Sequence, residues 1–167
     1  MALLEIINYP DPRLRKKGKP VTRFDESLVK LKDDMLETMY AAPGVGLAAV
    51  QIGEYKRMLV IDVTEDKKDP LCFINPEIIS SEGEMKTEEG CLSVPAIYEP
   101  VTRFETVTVK AQNEYGEHFE LSAQGLLSVC IQHEMDHLEG KLFVDYLSQM
   151  KQVRIRKKME KLRKETL

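Results

Sequence analysis

Apolar residues recur at helical spacing in three segments of the chain, and this spacing predicts three helices. The first covers residues 25–41, and Asp25 is its expected N-cap, because an aspartate oxygen can accept a backbone N–H of the first turn. The second covers residues 123–139 and is followed by Gly140, a residue type that often ends helices. The third covers residues 147–164. Its narrow apolar stripe consists of Ile155, Met159 and Leu162.

The second predicted helix is apolar on nearly every side. Its apolar residues are Leu126, Leu127, Val129, Cys130, Ile131, Met135 and Leu138. A surface helix keeps a polar face, so a helix that is apolar all round is expected to be buried. The sequence therefore predicts that residues 123–139 lie at the centre of the fold.

Between the first two helices the pattern changes to short runs that are typical of strands. These runs cover residues 57–63, 71–74, 77–81 and 104–112, with a turn predicted at Asn75-Pro76. Residues 113–116 are expected to turn the last run back into residues 117–121 as a hairpin. Strands and hairpins with segregated helices predict an α+β fold. In this fold, antiparallel or mixed β-sheets pack around the central buried helix, and the third helix stands at the C terminus.

Length and composition limit the classes of protein that fit this chain. Its 167 residues suit one hydrophobic core and contain no linker rich in Gly, Pro or Ser, so a single catalytic domain over residues 1–167 is expected. No run approaches the ~20 apolar residues of a membrane span, so no membrane partner is expected. Three cysteines without framework spacing, and a start unlike a secretory signal, favour a cytoplasmic location.

Charge is divided unevenly along the chain. The net charge is −4, but residues 151–167 hold eight basic and two acidic side chains, which makes this segment +6 and the remainder −10. Such a division indicates a polyanionic partner for the C-terminal segment. A solvated helix face is the alternative interpretation, and the spacing of the charges does not decide between them.

The predicted buried helix contains the run His133-Glu134-Met135-Asp136-His137. Residues four apart share a helix face, so both imidazoles can reach one metal ion with Glu134 beside them. Buried polar groups without partners cost about 1–3 kcal/mol each, and a metal ion satisfies both histidines at once. The run therefore predicts a metal-dependent hydrolase in which Glu134 is the acid/base group.

Two histidines leave an ion under-coordinated, and the third ligand has several candidates. A zinc metalloprotease would take it from downstream, where the nearest carboxylates are Glu139, Asp145 and Glu160. Upstream, Cys91 lies in a turn-like segment, and its thiolate would be a strong ligand. A nucleic-acid-binding module with structural zinc would instead need four protein ligands. Cys72 and Cys130 are interpreted as buried and inert, and His118 as an exposed strand residue.

Three motifs together resemble the bacterial peptide deformylase family, of type 1. They are Gly44-Val45-Gly46-Leu47-Ala48-Ala49-Val50-Gln51, Glu89-Gly90-Cys91-Leu92-Ser93 and Gln132-His133-Glu134-Met135-Asp136-His137-Leu138. The similarity extends over nearly the whole chain and includes the N-terminal run from Tyr9 to Arg15. Each motif alone is only suggestive, but the three in this order and spacing are specific.

The resemblance implies hydrolysis of the N-formyl group from the N-terminal formyl-methionine of newly synthesised polypeptides, with release of formate. It implies one divalent ion, natively Fe(II), held by Cys91, His133 and His137. Zinc, nickel or cobalt can replace Fe(II) during purification because they bind such sites more tightly. The resemblance further implies Glu134 as the acid/base, with Gln51 and the backbone N–H of Leu92 stabilising the oxyanion.

Substrate contacts also follow from the resemblance. An extended peptide is expected to pair with Gly44, Val45 and Gly46 on one side of the site and with Glu89 and Gly90 on the other. Many bacterial relatives have an arginine where this chain has Tyr98, so contacts beyond the substrate methionine are expected to differ.

Two further expectations concern charged residues. Glu89 precedes the expected ligand Cys91, and a buried carboxylate needs a partner, so we expect it to pair with Arg103. Deformylases of this type carry a C-terminal helix that contacts the ribosome. The resemblance therefore implies that residues 151–167 bind the ribosome by attraction to phosphate, without sequence-specific recognition of nucleic acid.

Overall fold

The computed structural model describes residues 3–165, and its largest feature is a five-stranded antiparallel sheet. In chain order the strands are β1 (Gly46–Ala48), β2 (Met58–Ile61), β3 (Leu71–Glu82), β4 (Met85–Cys91), β5 (Val94–Arg103), β6 (Thr106–Gln112) and β7 (His118–Gln124). The large sheet has the order β1-β2-β3-β6-β7, while β4 and β5 form a separate two-stranded sheet. The pairings between these strands are antiparallel, and the expected α+β class is confirmed.

Three α-helices accompany the sheets. They are α1 (Glu26–Ala41), α2 (Leu126–Leu138) and α3 (Gln149–Glu165). Shorter 3-10 helices cover Pro12–Arg15, Ala49–Ile52 and Phe143–Tyr146. Asp25 accepts the backbone N–H of Ser27 and so caps α1 as expected. All three predicted α-helices are therefore present, within a few residues of their expected bounds.

The helix α2 packs against the large sheet through β1, β2 and β7. Ile131 and Leu138 of α2 are fully buried, together with Leu59, Phe73 and Val109 of the sheet. Removing each such side chain from water contributes roughly 1.5–3 kcal/mol to folding. The central position expected for this helix is confirmed. Because Ile131 and Leu138 are anchored in the core, most of the residues between them are also held in the interior.

One prediction about strands is wrong, and two strands were not predicted. The runs 71–74 and 77–81 form the single strand β3, because Asn75 adopts a left-handed φ of 53° within a bulge instead of a turn. The side chain of Asn75 exchanges hydrogen bonds with the backbone of Val21 at 2.7 and 2.8 Å. The strands β4 and β5 were not predicted, since the buried side chain of β4 is Glu89 and β5 contains prolines.

The C-terminal helix α3 packs on the body through its predicted apolar stripe. Ile155 and Met159 are buried against Leu14, Val94 and Phe143, with Leu162 partly buried beside them. Most of the basic side chains of α3 face outward and are exposed. Among the residues described, no helix has the length and apolar character needed to cross a membrane.

Candidate metal centre and catalytic cleft

The helix α2 places His133 and His137 on one face, with their ring centroids 5.1 Å apart. Cys91, at the end of β4, lies with Sγ 3.4 Å from Nε2 of His137. One donor atom from each of the three residues lies within 4.8 Å of the others. Among residues 3–165, this is the one group of three or more His, Cys, Asp or Glu side chains whose donor atoms are close enough together to hold a metal ion. The structure thus brings together the three ligands expected from the resemblance.

The electrostatics of this cluster suit a cation. Burial lowers the pKa of His137 well below its ordinary value, so its ring stays neutral, as a ligand must. Burial opposes protonation of His133 too, but the charge of Glu134 and hydrogen bonds with Cys91 and Glu89 raise its pKa well above the ordinary value. The cluster therefore attracts positive charge, and a divalent ion can supply it.

The donor types also fit a metal. One sulfur and two imidazole nitrogens suit zinc, iron, cobalt and nickel. Three protein ligands leave a coordination position open, which is typical of catalytic sites; a structural zinc site would require a fourth ligand.

The downstream carboxylates are engaged elsewhere, contrary to what the metalloprotease alternative needs. Asp145 accepts from Arg15 at 2.7 Å, and Glu139 accepts from Arg57 at 2.7 Å. Glu160 lies on α3, 3.6 Å from Arg156. None of the three belongs to the cluster of ligands.

Glu134 lies beside the ligands, and its carboxylate oxygens are 4.0 Å from Nε2 of both His133 and His137. Burial raises the pKa of the Glu134 carboxyl to about 7, while the charge of His133 acts in the opposite direction. Its Oε1 is buried without a hydrogen-bond partner among the described residues. A Cβ at Gly46 would lie 2.5 Å from Glu134 Oε2, so the glycine leaves the space that this carboxylate occupies.

The amide of Gln51 is held at both ends. Its Oε1 accepts the backbone N–H of Ala48 at 2.9 Å, and its Nε2 donates to Ser93 Oγ at 2.9 Å. The same Nε2 lies 3.6 Å from Sγ of Cys91. With the acceptor end occupied by the backbone, the N–H end is the one that faces the metal cluster.

A cleft of about 780 Å³ opens above these residues. Gly44, Val45 and Gly46 line one part of it, and Gly90 lines another. Tyr98 is exposed at the cleft, and a Cβ at Gly90 would lie 2.6 Å from its ring. The cleft therefore includes four of the five residues expected to bind the substrate; the side chain of Glu89 is buried instead.

Glu89 and Arg103 form a buried pair, as expected. Arg103 donates hydrogen bonds from Nε and Nη2 to the two carboxylate oxygens of Glu89, at 2.7 and 2.9 Å. Glu89 Oε1 also accepts from His133 Nδ1 at 2.9 Å. Burial acts to raise the pKa of Glu89, but the hydrogen bonds from Arg103 and His133 outweigh it and lower the pKa. This contact occupies Nδ1 and leaves Nε2 of His133 available to a metal ion.

Sequence reasoning missed two partners of this site. Ser93 completes the motif that contains Cys91 but was not connected with Gln51, because the two meet only through tertiary structure. Asp136 accepts a hydrogen bond from Arg103 Nη1 at 2.6 Å. Its position between the two histidines in the sequence does not indicate this partner.

Comparison with known proteins identifies the family. The family model for polypeptide deformylase matches residues 3–153. The chain belongs to the polypeptide deformylase family. Deformylases are metal-dependent hydrolases, and the reaction of this chain is removal of the N-formyl group from the formyl-methionine that begins newly made polypeptides.

Relatives and solved structures agree with this deformylase assignment. The peptide deformylase of Nitrosococcus oceani is 60% identical over 161 residues, covering 96% of each chain. Peptide deformylase 1 of Burkholderia multivorans is 61% identical over 163 residues, covering 97% of this chain and 90% of the relative. The deformylase structure from Legionella pneumophila superposes with a TM-score of 0.95 at 53% identity, covering 99% of this chain and 98% of the other.

The remaining cysteines of this deformylase differ from Cys91 in their surroundings. Burial raises the pKa of Cys72 and of Cys130 to about 12. Because the thiolate is the nucleophile and metal ligand, this raised pKa agrees with the expected inertness of both thiols. Cys130 is buried as expected, whereas Cys72 is only partly buried. His118 is exposed at the start of β7, also as expected.

Proposed function

We propose that the chain performs deformylation with Fe(II) held by Cys91, His133 and His137, and with Glu134 as the acid/base. The observation that carries this proposal is the convergence of the three donor atoms within 4.8 Å of one another, beside the buried carboxylate of Glu134 and next to the cleft that Cys91, His133 and Glu134 line. We further propose that residues 1–167 form one catalytic domain.

The ion, when bound, would supply the Lewis acidity that lets water act as a nucleophile near neutral pH. Glu134 accepts a proton from the attacking water at a carboxylate oxygen, since its raised pKa suits proton transfer near neutrality. The water oxygen adds to the formyl carbon, the C–N bond of the formamide then breaks, and Glu134 returns the proton to the amine nitrogen of methionine. The products are the free amine and formic acid, which ionises to formate, so the sum is hydrolysis.

The negative charge that develops on the formyl oxygen needs donors already directed at it. Gln51 Nε2 is one, because its partners Ala48 and Ser93 fix the orientation of the amide. The backbone N–H of Leu92, next to Cys91, is the second. One such donor contributes about 3 kcal/mol to stabilising the transition state.

The substrate peptide is proposed to lie extended in the cleft. Gly44, Val45 and Gly46 would pair with one edge of its backbone, and Glu89 and Gly90 with the other, as in strand addition. The glycines support this arrangement because they allow close approach of a second backbone. Tyr98 would then contact residues beyond the methionine.

The outward charges of α3 support a further proposal, that residues 151–167 hold the enzyme at the ribosome in the cytoplasm. Arg154, Lys157, Lys158, Lys161 and Lys164 are exposed, while Ile155 and Met159 face the body. Phosphate backbones attract such a surface through release of counterions, without a preference for sequence.

Formate release tests the proposed substrate. Protein loaded with Fe(II) without oxygen should release one formate per formyl-Met-Ala-Ser peptide, and the matched acetyl-Met-Ala-Ser peptide should react far more slowly because its methyl group crowds the acyl carbon. Omission of Fe(II) should remove the activity. Equal hydrolysis of the two peptides, or full activity in protein freed of metal, would contradict the proposal.

A further inference from the structure

Tyr146 stands at the outer end of a chain of hydrogen bonds that reaches the metal cluster. Its hydroxyl donates to Asp136 Oδ2 at 2.8 Å. The same oxygen accepts from Arg103 Nη1 at 2.6 Å. Arg103 donates through its other nitrogens to Glu89, whose Oε1 accepts from His133 Nδ1 at 2.9 Å. Tyr146 is thus linked through Asp136, Arg103 and Glu89 to the ring of one proposed ligand.

Tyr146 also touches Arg103 directly. The guanidinium carbon lies 4.9 Å from the centroid of the tyrosine ring, within cation–π distance. Burial and the negative charge of Asp136 raise the pKa of Tyr146, so the hydroxyl keeps its proton and acts as the donor. The side chain is 52% exposed, so core packing does not account for its position.

The 3-10 helix Phe143–Tyr146 approaches His133 from a second direction. Phe143 is buried, and its ring stacks on that of His133 with centroids 6.0 Å apart and an interplanar angle of 29°. One short helix therefore supports the imidazole on its face through Phe143 and holds the far end of the hydrogen-bond chain through Tyr146.

We propose that Tyr146 is a positioning residue for the metal centre, acting through Asp136, Arg103 and Glu89 on the orientation of His133. This inference rests on the proposed function, in which His133 binds the ion through Nε2. A carboxylate on Nδ1 fixes the tautomer and the ring angle of a metal-bound histidine. The carboxylate of Glu89 is in turn fixed by Arg103. Tyr146 anchors Asp136, the remaining anion on that guanidinium.

The test uses the full chain loaded with Co(II) and the variant Tyr146→Phe, which keeps the ring and loses the hydroxyl. We expect Co(II) to pass from this variant to an added chelator about three- to tenfold faster than from the unaltered protein. Loss of a direct partner of a ligand typically lowers metal affinity 10–100-fold, and Tyr146 is more remote from His133 than such a partner. The visible spectrum of Co(II) should shift, and kcat should fall with KM unchanged. The matched control is Tyr115→Phe, another exposed tyrosine, which should change none of these.

A double-mutant cycle separates this role from general stabilisation. Asp136→Asn should release Co(II) faster than Tyr146→Phe does, and the double variant should match Asp136→Asn alone, because both act through one network. Additive effects would overturn the inference. A lower unfolding temperature for Tyr146→Phe with unaltered Co(II) release would do so as well. If the unaltered protein fails to bind Co(II) at Cys91, the proposed function fails first, and with it this inference.

Discussion

Gln51 is a side chain whose surroundings leave little freedom to its amide. It is almost fully buried, and its oxygen is occupied by the backbone of Ala48. A flipped amide would place an NH₂ group against the N–H of Ala48 and leave the oxygen facing Ser93. The hydrogen bonds thus select one orientation before any substrate binds, which is the condition for electrostatic stabilisation of a transition state.

Gln51→Ala should therefore lower kcat about 100- to 1,000-fold and leave KM for a formyl-Met peptide nearly unchanged, because the donor acts on charge that develops only in the transition state. Steady-state formate release measures both constants. Ser93→Ala is the matched control, since it removes a partner of the amide but keeps the donor, and its effect should stay below tenfold. Equal losses in the two variants would show that Gln51 acts only by holding the loop.

At the scale of elements, the sequence predicted α2 and its histidines because helical periodicity is a local signal. Spacing alone placed His133 and His137 on one face, and burial of the helix required partners for them. The pair Glu89–Arg103 was also predicted, because a buried carboxylate needs a partner and Arg103 lies where the chain leaves the same loop. The strands β4 and β5 were missed because most of their side chains are exposed or only partly buried, and their charged residues and prolines hide the alternating apolar pattern typical of a strand.

The links to Ser93 and Tyr146 were missed for a related reason. Gln51 and Ser93 are 42 residues apart, and their hydrogen bond forms only when the 3-10 helix Ala49–Ile52 meets the turn between β4 and β5. Tyr146 reaches Asp136 across the loop between α2 and the following 3-10 helix. Periodic patterns in the sequence predict helices and strands, but they do not predict hydrogen bonds between side chains of different elements.

One face of α3 packs on the body and the opposite face carries exposed basic side chains. The proposed ribosome binding can therefore be tested on the exposed face without disturbing the packing. Removal of residues 151–167 would also remove Ile155 and Met159 from the core, and so would mix loss of charge with loss of stability. Charge reversal on the outer face avoids this. The triple variant Lys157→Glu, Lys161→Glu and Lys164→Glu should weaken binding to ribosomes at low salt and reduce its salt dependence.

Hydrolysis of short formyl-Met peptides should remain unchanged in that variant. The matched control reverses three exposed lysines elsewhere, Lys17, Lys86 and Lys110, with the same change in net charge. Sedimentation with ribosomes across a salt series compares the two. Equal weakening by both triples would mean that net charge, and not the surface of α3, governs association.

In the whole molecule, the large sheet and α2 form the core, while β4 with its loop brings Cys91 to the histidines from a separate sheet. The proposed ligands come from two separate elements, so they meet only in the folded chain. The buried pair Glu89–Arg103 joins these elements, since Glu89 lies on β4 and contacts His133 of α2. Removal of Arg103 would leave the buried carboxylate of Glu89 without its cation, at a cost of about 3–5 kcal/mol.

The central claim is that three residues hold the metal ion while Glu134 moves the proton. Its most direct test measures Fe(II) per chain and formate release on the same oxygen-free samples of the unaltered protein and of Glu134→Gln, a change of nearly equal volume. We expect about one Fe(II) per chain in both, with kcat lowered at least 100-fold in the variant because its amide cannot accept the proton. Loss of Fe(II) from Glu134→Gln, or near-normal turnover with the ion in place, would contradict the account.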